Sequence, residues 1–313
     1  MAKIRMRTTS EKTIEQGVQE FMNFCTASNY SPSTIKYYQN TAHNFSLFLG
    51  LDNPITILDK RLMLEYQAHL TKKKLADKTI KTYITGMRTI LHYFMDEGYI
   101  NEFHIVAPKS DQQIKETYSQ EELERLLKKP DMRKCSFAEY RSWVMVAYFI
   151  GTGQRLNSVI NIKIGDLDLG ECTVILRKTK GRKNLMLPLP PSLPPILREY
   201  LNLRRGREED FLFCTQEGGQ LARGSAISAI REFNLSRGVR KTSIHLFRHT
   251  FAKNYLGNGG NVFHLKKLMG HSDLKSTERY LNLMIDDIQQ NYQEYNQLER
   301  LMSGRIKMRR GRG

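Results

Sequence analysis

The stretch HLFRHTFAKNYLGNGGNVFHLKKLMGHSDLKSTERY, His245 to Tyr280, decides how this chain is read. His245-Leu246-Phe247-Arg248-His249-Thr250 opens a helix, and His245 and Arg248, three residues apart, share one face of it. Gly270-His271 ends a second helix. Tyr280 follows nine residues later, in a short helix that Ser276 can cap.

Two further cations lie upstream. Arg155 follows an apolar helix over Phe137–Phe149 and the turn Gly151-Thr152-Gly153-Gln154. Lys180 sits at the tip of a hairpin turn, Thr179-Lys180-Gly181-Arg182-Lys183, between strands predicted at Thr173–Lys178 and Leu185–Leu189. Each piece taken singly has an ordinary reading: an arginine after a helix is an ion-pair partner, a histidine a cap, a turn lysine a solvated one. Together they suit phosphoryl transfer. Two guanidiniums can each grip non-bridging phosphate oxygens with paired hydrogen bonds and stay charged at any relevant pH. Imidazoles add donors or move a proton, a lysine can protonate a leaving oxygen, and a tyrosine can hold the phosphate as an ester. The sequence offers neither a carboxylate cluster for a two-metal nuclease nor a Gly-rich nucleotide loop.

The first hundred residues read as four helices joined by short turns, a small bundle. Ser31-Pro32 caps one, with Ile35, Tyr38, Ala42, Phe45 and Leu49 at helical steps and Gly50 as its stop. Asp77 is the expected cap of another, with Ile80, Ile84, Met87, Leu91 and Phe94 on one face and Gly98 at its end. Weaker patterns predict helices over Glu11–Thr26 and Asp59–Lys73. Lys36, Lys72, Lys73, Lys74, Lys78, Lys81 and Arg88 fall on outward faces. A polar stretch without periodicity, residues 104–118, reads as a linker. Beyond it come a helix over Ser119–Lys129, a strand over Ile162–Leu169, the hairpin, and helices again from about Ala226. The expected fold is therefore mainly α with a small β-sheet: a four-helix domain at 11–103, then a mixed α+β domain at 119–303. A basic segment at 1–10 and a basic tail at 304–313 flank them.

The charge agrees with a phosphate at the centre. Lys and Arg number 49 against 32 Asp and Glu, a net charge of +17, which favours a polyanionic partner, nucleic acid or an anionic membrane surface. Most of the surplus falls after residue 110, with a dense cluster at Arg177, Lys178, Lys180, Arg182 and Lys183. This placement around candidate phosphate ligands favours nucleic acid and removes the support for a membrane. The longest apolar run, Trp143 to Gly151, is far short of the ~20 residues that span a bilayer, and MAKIRMRTTSEK lacks the apolar segment of a secretory signal. Cys25, Cys135, Cys172 and Cys214 form no CxxC pair, which argues against zinc ribbons and disulfide scaffolds and fits a reducing cytoplasm.

At these residues the sequence resembles the tyrosine recombinase family, the phage-integrase-type site-specific recombinases. His245 to Tyr280 is similar to the family's H-x-x-R box, its Leu-Gly-His element (here Leu268-Met269-Gly270-His271) and its terminal Tyr. FIGTGQRLNSVINI around Arg155 resembles the first arginine box, KTKGRKNLMLPL the β-hairpin lysine segment, and the helices of 11–98, with SPSTIKYYQN, the core-type DNA-binding domain. The resemblance implies that Tyr280 attacks the scissile phosphate to give a 3′-phosphotyrosyl linkage. It implies that Arg155 and Arg248 clamp the non-bridging oxygens, supported by His245 and His271, and that Lys180 protonates the 5′-oxygen. No ATP, metal or other cofactor is implied. Lys36, Lys72, Lys73, Lys78, Lys81, Arg88, Arg177, Lys178, Arg182 and Lys183 are the candidate DNA contacts. One position departs from the family: Ser158 stands where an acidic residue is usual, three residues after the first arginine.

The resemblance further implies double-stranded DNA at specific recombination sites as partner and a homo-tetramer, a dimer of dimers, on that DNA. An amphipathic helix at 284–302 (Ile285, Ile288, Tyr292, Tyr295, Leu298 and Met302) would dock on a neighbouring protomer or on its own domain. An accessory DNA-bending or directionality protein is a further expected partner, and the location expected is the cytoplasm, at the nucleoid. Only about ten residues precede the first helix, which leans toward a compact two-domain enzyme of Xer type or of a mobile element; Ser158 leans toward the latter. A type IB topoisomerase-like enzyme and a non-catalytic DNA-binding protein on the same fold are the competing readings.

Overall fold

Polar caps and apolar stripes place the helices of the first unit. In the computed structural model, which describes residues 12–108, 116–177 and 184–270, the chain divides into two compact units, Met1–Gln113 and Ile114–Gly313. In the first, Thr13 caps α1 (Ile14–Ala27) through a reciprocal bond with Gln16, Ser31 caps α2 (Pro32–Ser46), and Asp59 caps α3 (Lys60–Lys72). Helix α4 (Asp77–Asp96) departs from expectation: Ala76 occupies the cap without a side-chain bond, and Asp77 lies inside the first turn. There its carboxylate meets the positive end of the helix dipole instead of bonding a terminal N–H. Helix α2 also stops before Gly50, because the Phe48 N–H turns back to Phe45 O in a tightened last turn. Phe21, Cys25, Phe45, Tyr66, Leu70, Ile84, Leu91 and Phe94 from the four helices are buried in one cluster.

The second unit packs helices around a helix that is apolar almost throughout. Ser119 caps α5 (Gln120–Leu127) and Ser136 caps α6 (Phe137–Thr152), whose residues from Tyr140 to Phe149 are all buried. A four-residue helix, α7 (Leu156–Val159), follows. The strand expected over Ile162–Leu169 is mostly absent. The Asp166 carboxylate accepts the Lys163 N–H at 2.9 Å and folds Ile164–Asp166 into a 3-10 turn, which leaves only β1 (Leu167–Asp168). Strands β2 (Thr173–Leu176) and β3 (Leu185–Pro188) complete an antiparallel sheet in the order β1-β2-β3, with Val174 opposite Leu187 and Leu176 opposite Leu185. Val174, Leu176 and Leu187 turn into the core, and Met186 stays exposed, the alternation a half-buried sheet requires.

Helix α8 (Leu193–Arg204) goes unmarked in the sequence because Pro194 and Pro195 read as breakers. In a first turn their missing N–H groups have no intrahelical partner to lose. Then come α9 (Arg223–Ser236), α10 (Ile244–Gly257) and α11 (Val262–Leu268). Tyr118 ties the start of this unit to its end: its N–H donates to Thr250 Oγ1 at 2.9 Å and its hydroxyl to Lys241 O at 3.0 Å while accepting from Asn234 Nδ2 at 3.0 Å. Burial pushes the Tyr118 phenol up, so it stays a donor. Among the described residues no helix is long and apolar enough to cross a membrane.

Candidate functional site

Two of the sequence-predicted arginines meet at the end of α11. Arg155 caps α7 just after α6 has been closed by Gly153 in the left-handed conformation (φ +58°). Arg248 lies one turn into α10 and is buried. Its Nη1 donates to Gly153 O at 2.9 Å and its Nη2 to Met269 O at 2.7 Å. Arg155 Nη1 donates to the same Met269 O at 3.3 Å and to Gly270 O at 3.1 Å. Both guanidiniums thus converge on the Met269 carbonyl just past the end of α11, where the negative end of the helix dipole favours cations. Two like charges held within reach of one carbonyl make a strongly anion-attracting corner, and a planar guanidinium bonded along one edge keeps its other N–H groups aimed in fixed directions.

Sequence pattern does not single out Gly153 for chemistry, yet its backbone joins this corner twice. Its carbonyl receives Arg248, and its Cα lies so close to the Phe251 ring that an added Cβ would fall 2.4 Å from Phe251 Cδ1. The signal that could have found it is a helix-ending Gly between an apolar run and an arginine. His245 sits exposed in the first turn of α10, three residues before Arg248. Ser158 is half-buried within α7, and its N–H donates to Arg155 O at 2.9 Å. Lys180, His271 and Tyr280 lie outside the described residues, as do Lys178, Arg182, Lys183 and the segment 284–302. Among the described residues no group of three His, Cys, Asp or Glu side chains is placed to hold a metal ion.

The candidate DNA contacts divide into two kinds. Lys36 on α2, Lys72 and Lys73 at the end of α3, and Lys78 and Lys81 on α4 are all exposed, while Arg88 on α4 is half-buried. Arg177, past the end of β2, instead has a structural partner: its Nε donates to the buried carboxylate of Asp166, the group that folds the turn before β1. No local pattern marks that pairing, because the two residues are eleven apart and meet only through the sheet.

Residues 116–285 match the Phage integrase family, and residues 16–110 match the Phage integrase SAM-like domain. The chain is 31% identical to tyrosine recombinase XerC of Bacillus subtilis, covering 86% of this chain and 91% of that one. It is 25% identical to tyrosine recombinase XerD of Listeria innocua, over 89% of this chain and 98% of the other. Among solved structures it is similar to the Tn1549 transposon integrase in complex with a circular intermediate DNA, with a TM-score of 0.71 at 18% identity, covering 86% of this chain and 94% of that one. That last likeness bears on the fold, a mostly helical catalytic domain with a small sheet following a helical SAM-like domain. With a family match over more than half its length and a full-length relative above 30% identity, the chain belongs to the phage integrase family and is a tyrosine-type site-specific DNA recombinase.

Proposed function

We propose that this recombinase cuts DNA with Tyr280 and that the corner built by Arg155 and Arg248 holds the scissile phosphate. The Tyr280 oxygen attacks phosphorus as its phenolic proton leaves to an imidazole or to solvent, the bond to the 5′-oxygen breaks, and Lys180 delivers a proton to that leaving oxygen. The strand is left as a 3′-phosphotyrosyl ester. His245 and His271 add donors to the non-bridging oxygens as negative charge builds there. The ester conserves the bond energy of the phosphodiester, so a 5′-hydroxyl from another strand reverses the step without a nucleotide and joins DNA in exchanged form. The observation that carries this assignment is the convergence of Arg155 and Arg248 on the Met269 carbonyl, two residues before His271 in the chain.

Double-stranded DNA is the partner this chemistry requires. A tetramer of protomers, with the segment 284–302 bridging neighbours, is the assembly that would let two pairs of strands exchange. Resolution of Xer type and movement of a mobile element share these steps and differ in where the DNA sites lie. The test is a nicked duplex that traps the cleaved strand, carrying a site selected by the protein itself. Wild type is expected to give an adduct that survives denaturant, and Tyr280→Phe none. An adduct that persists in Tyr280→Phe would move the nucleophile elsewhere.

A further inference from the structure

Two helices of the first unit, α2 and α4, carry no acidic residue between their end residues. Helices α2 and α4 lie side by side: Tyr37 OH donates to Thr82 O at 2.8 Å, and buried Thr41 packs against Gly86, where an added Cβ would fall 2.5 Å from Thr41 Oγ1. These residues fix a seam, and helical steps then fix what borders it on the solvent side. On α2 the border is Ser33, Lys36, Asn40 and Asn44; on α4 it is Lys78, Lys81 and Thr85. Helix α2 contains no acidic residue, and α4 carries acids only at its ends, Asp77 and Asp96. By contrast α1 and α3 carry Glu15, Glu20 and Glu65 within their lengths. The seam is thus flanked by cations, amides and hydroxyls along a length without a carboxylate.

A cation bonded to a phosphate holds position without reading sequence, whereas an amide can pair with the edge of an adenine. Asn44 Nδ2 donates to Asn40 O at 3.1 Å, so one of its amide donors is turned onto its own helix. Asn40 is exposed, sits one turn from Lys36 on the same stripe, and makes no side-chain bond among the described residues. Its carbonyl oxygen and amide nitrogen together match the donor and acceptor that adenine shows in the major groove, a groove wide enough for one α-helix.

We propose that Asn40 is a specificity-determining residue of this recombinase: with α2 in the major groove, it reads an adenine while Lys36 and Lys78 hold flanking phosphates. The proposal rests on the DNA partner named above, and its test separates the two. Full-length wild type, Asn40→Ala and Lys36→Ala are each used to select bound duplexes from a randomised DNA pool, and the preferred base is scored at each position. Wild type is expected to select a consensus, and Asn40→Ala to lose about tenfold of the preference for adenine at one position only. Lys36→Ala is expected to keep the whole consensus while binding every duplex more weakly and with a shallower salt dependence. An Asn40→Ala consensus identical to wild type at every position overturns the assignment of Asn40 and leaves site-specific binding intact. A wild-type pool with no preferred position overturns both.

Discussion

The two units of this chain deploy charge in opposite ways. In the first, Lys36, Lys72, Lys73, Lys78 and Lys81 stand exposed, and the tie of Lys12 to Glu20 and Tyr99 is partly exposed. In the second, guanidiniums are taken inside: Arg141 donates to Cys214 O at 2.6 Å, and Arg248 spans Gly153 O and Met269 O. Burying a guanidinium is costly unless its donors are matched, so the Gly153 and Met269 carbonyls that receive Arg248 become part of that corner's definition. An exposed lysine has no such requirement, and one of several is replaceable. On the function proposed above, the difference would separate a surface that tracks a polyanion from a corner that holds one phosphate in one orientation.

The sharpest way to break this contrast is Arg248→Lys. Lysine keeps the charge but has one nitrogen where the guanidinium has a fork, so it cannot span Gly153 O and Met269 O while also reaching a phosphate. Adduct formation on the nicked duplex should fall by roughly 100-fold or more, the usual scale for losing one positioned transition-state donor. DNA binding, measured by a mobility shift, should stay near wild type. The exposed cation should behave the other way round: Lys36→Ala should lower binding and leave the cleavage rate of bound DNA unchanged. If Arg248→Lys cleaves at the wild-type rate, the corner is structural only.

A second comparison uses a glycine from each unit. Gly98 follows α4 and Gly153 follows α6, both left-handed, with φ of +69° and +58°. Nothing lies within 4 Å of a Cβ added at Gly98, whereas at Gly153 it would meet the Phe251 ring. Gly98→Ala should therefore cost only the conformational penalty, about 1 kcal/mol. Gly153→Ala adds the displacement of Phe251 and of the carbonyl that receives Arg248, for a total of roughly 2–4 kcal/mol. Thermal unfolding checks the ranking, and Gly153→Ala should also slow cleavage. Equal costs at the two positions would mean that Phe251 yields freely.

Much of this is legible in the sequence, for physical reasons that can be named. The caps at Ser31, Asp59, Ser119 and Ser136 and the apolar steps of α4 and α6 are local signals, and they mark helices that the structure contains. The Asp77 cap and the long strand at Ile162–Leu169 fail because something other than the local pattern decides them. Asp77 lies within the first turn once Ala76 takes the cap position, and the Asp166 carboxylate folds the chain back on Lys163. At the site, Arg155 and Arg248 are legible as residue types in order. The carbonyls that hold them are not, because a backbone oxygen has no letter in the sequence.

The smallest expected effect tests the exposed end of the contrast. Lys12 Nζ donates to both Glu20 oxygens, at 3.0 and 2.8 Å, and Tyr99 OH donates to Glu20 Oε2 at 2.6 Å. The Lys12 bond first, and the Tyr99 bond after it, hold the Glu20 carboxyl below the usual carboxylate range. The folded state therefore releases this proton more readily than the unfolded chain, whose value is about 4.3. Stability from the lowered value is present above that pH and is lost as pH falls through the folded one. Glu20→Gln keeps an acceptor for Tyr99 and removes the titration. The variant should be slightly less stable than wild type at pH 7, and the gap should shrink in high salt because both charges are partly solvated. It should also close as pH falls through the lowered value of the folded state. A gap that stays constant over the whole acid range would show that Glu20 acts by packing, and the exposed tie would then resemble the buried ones.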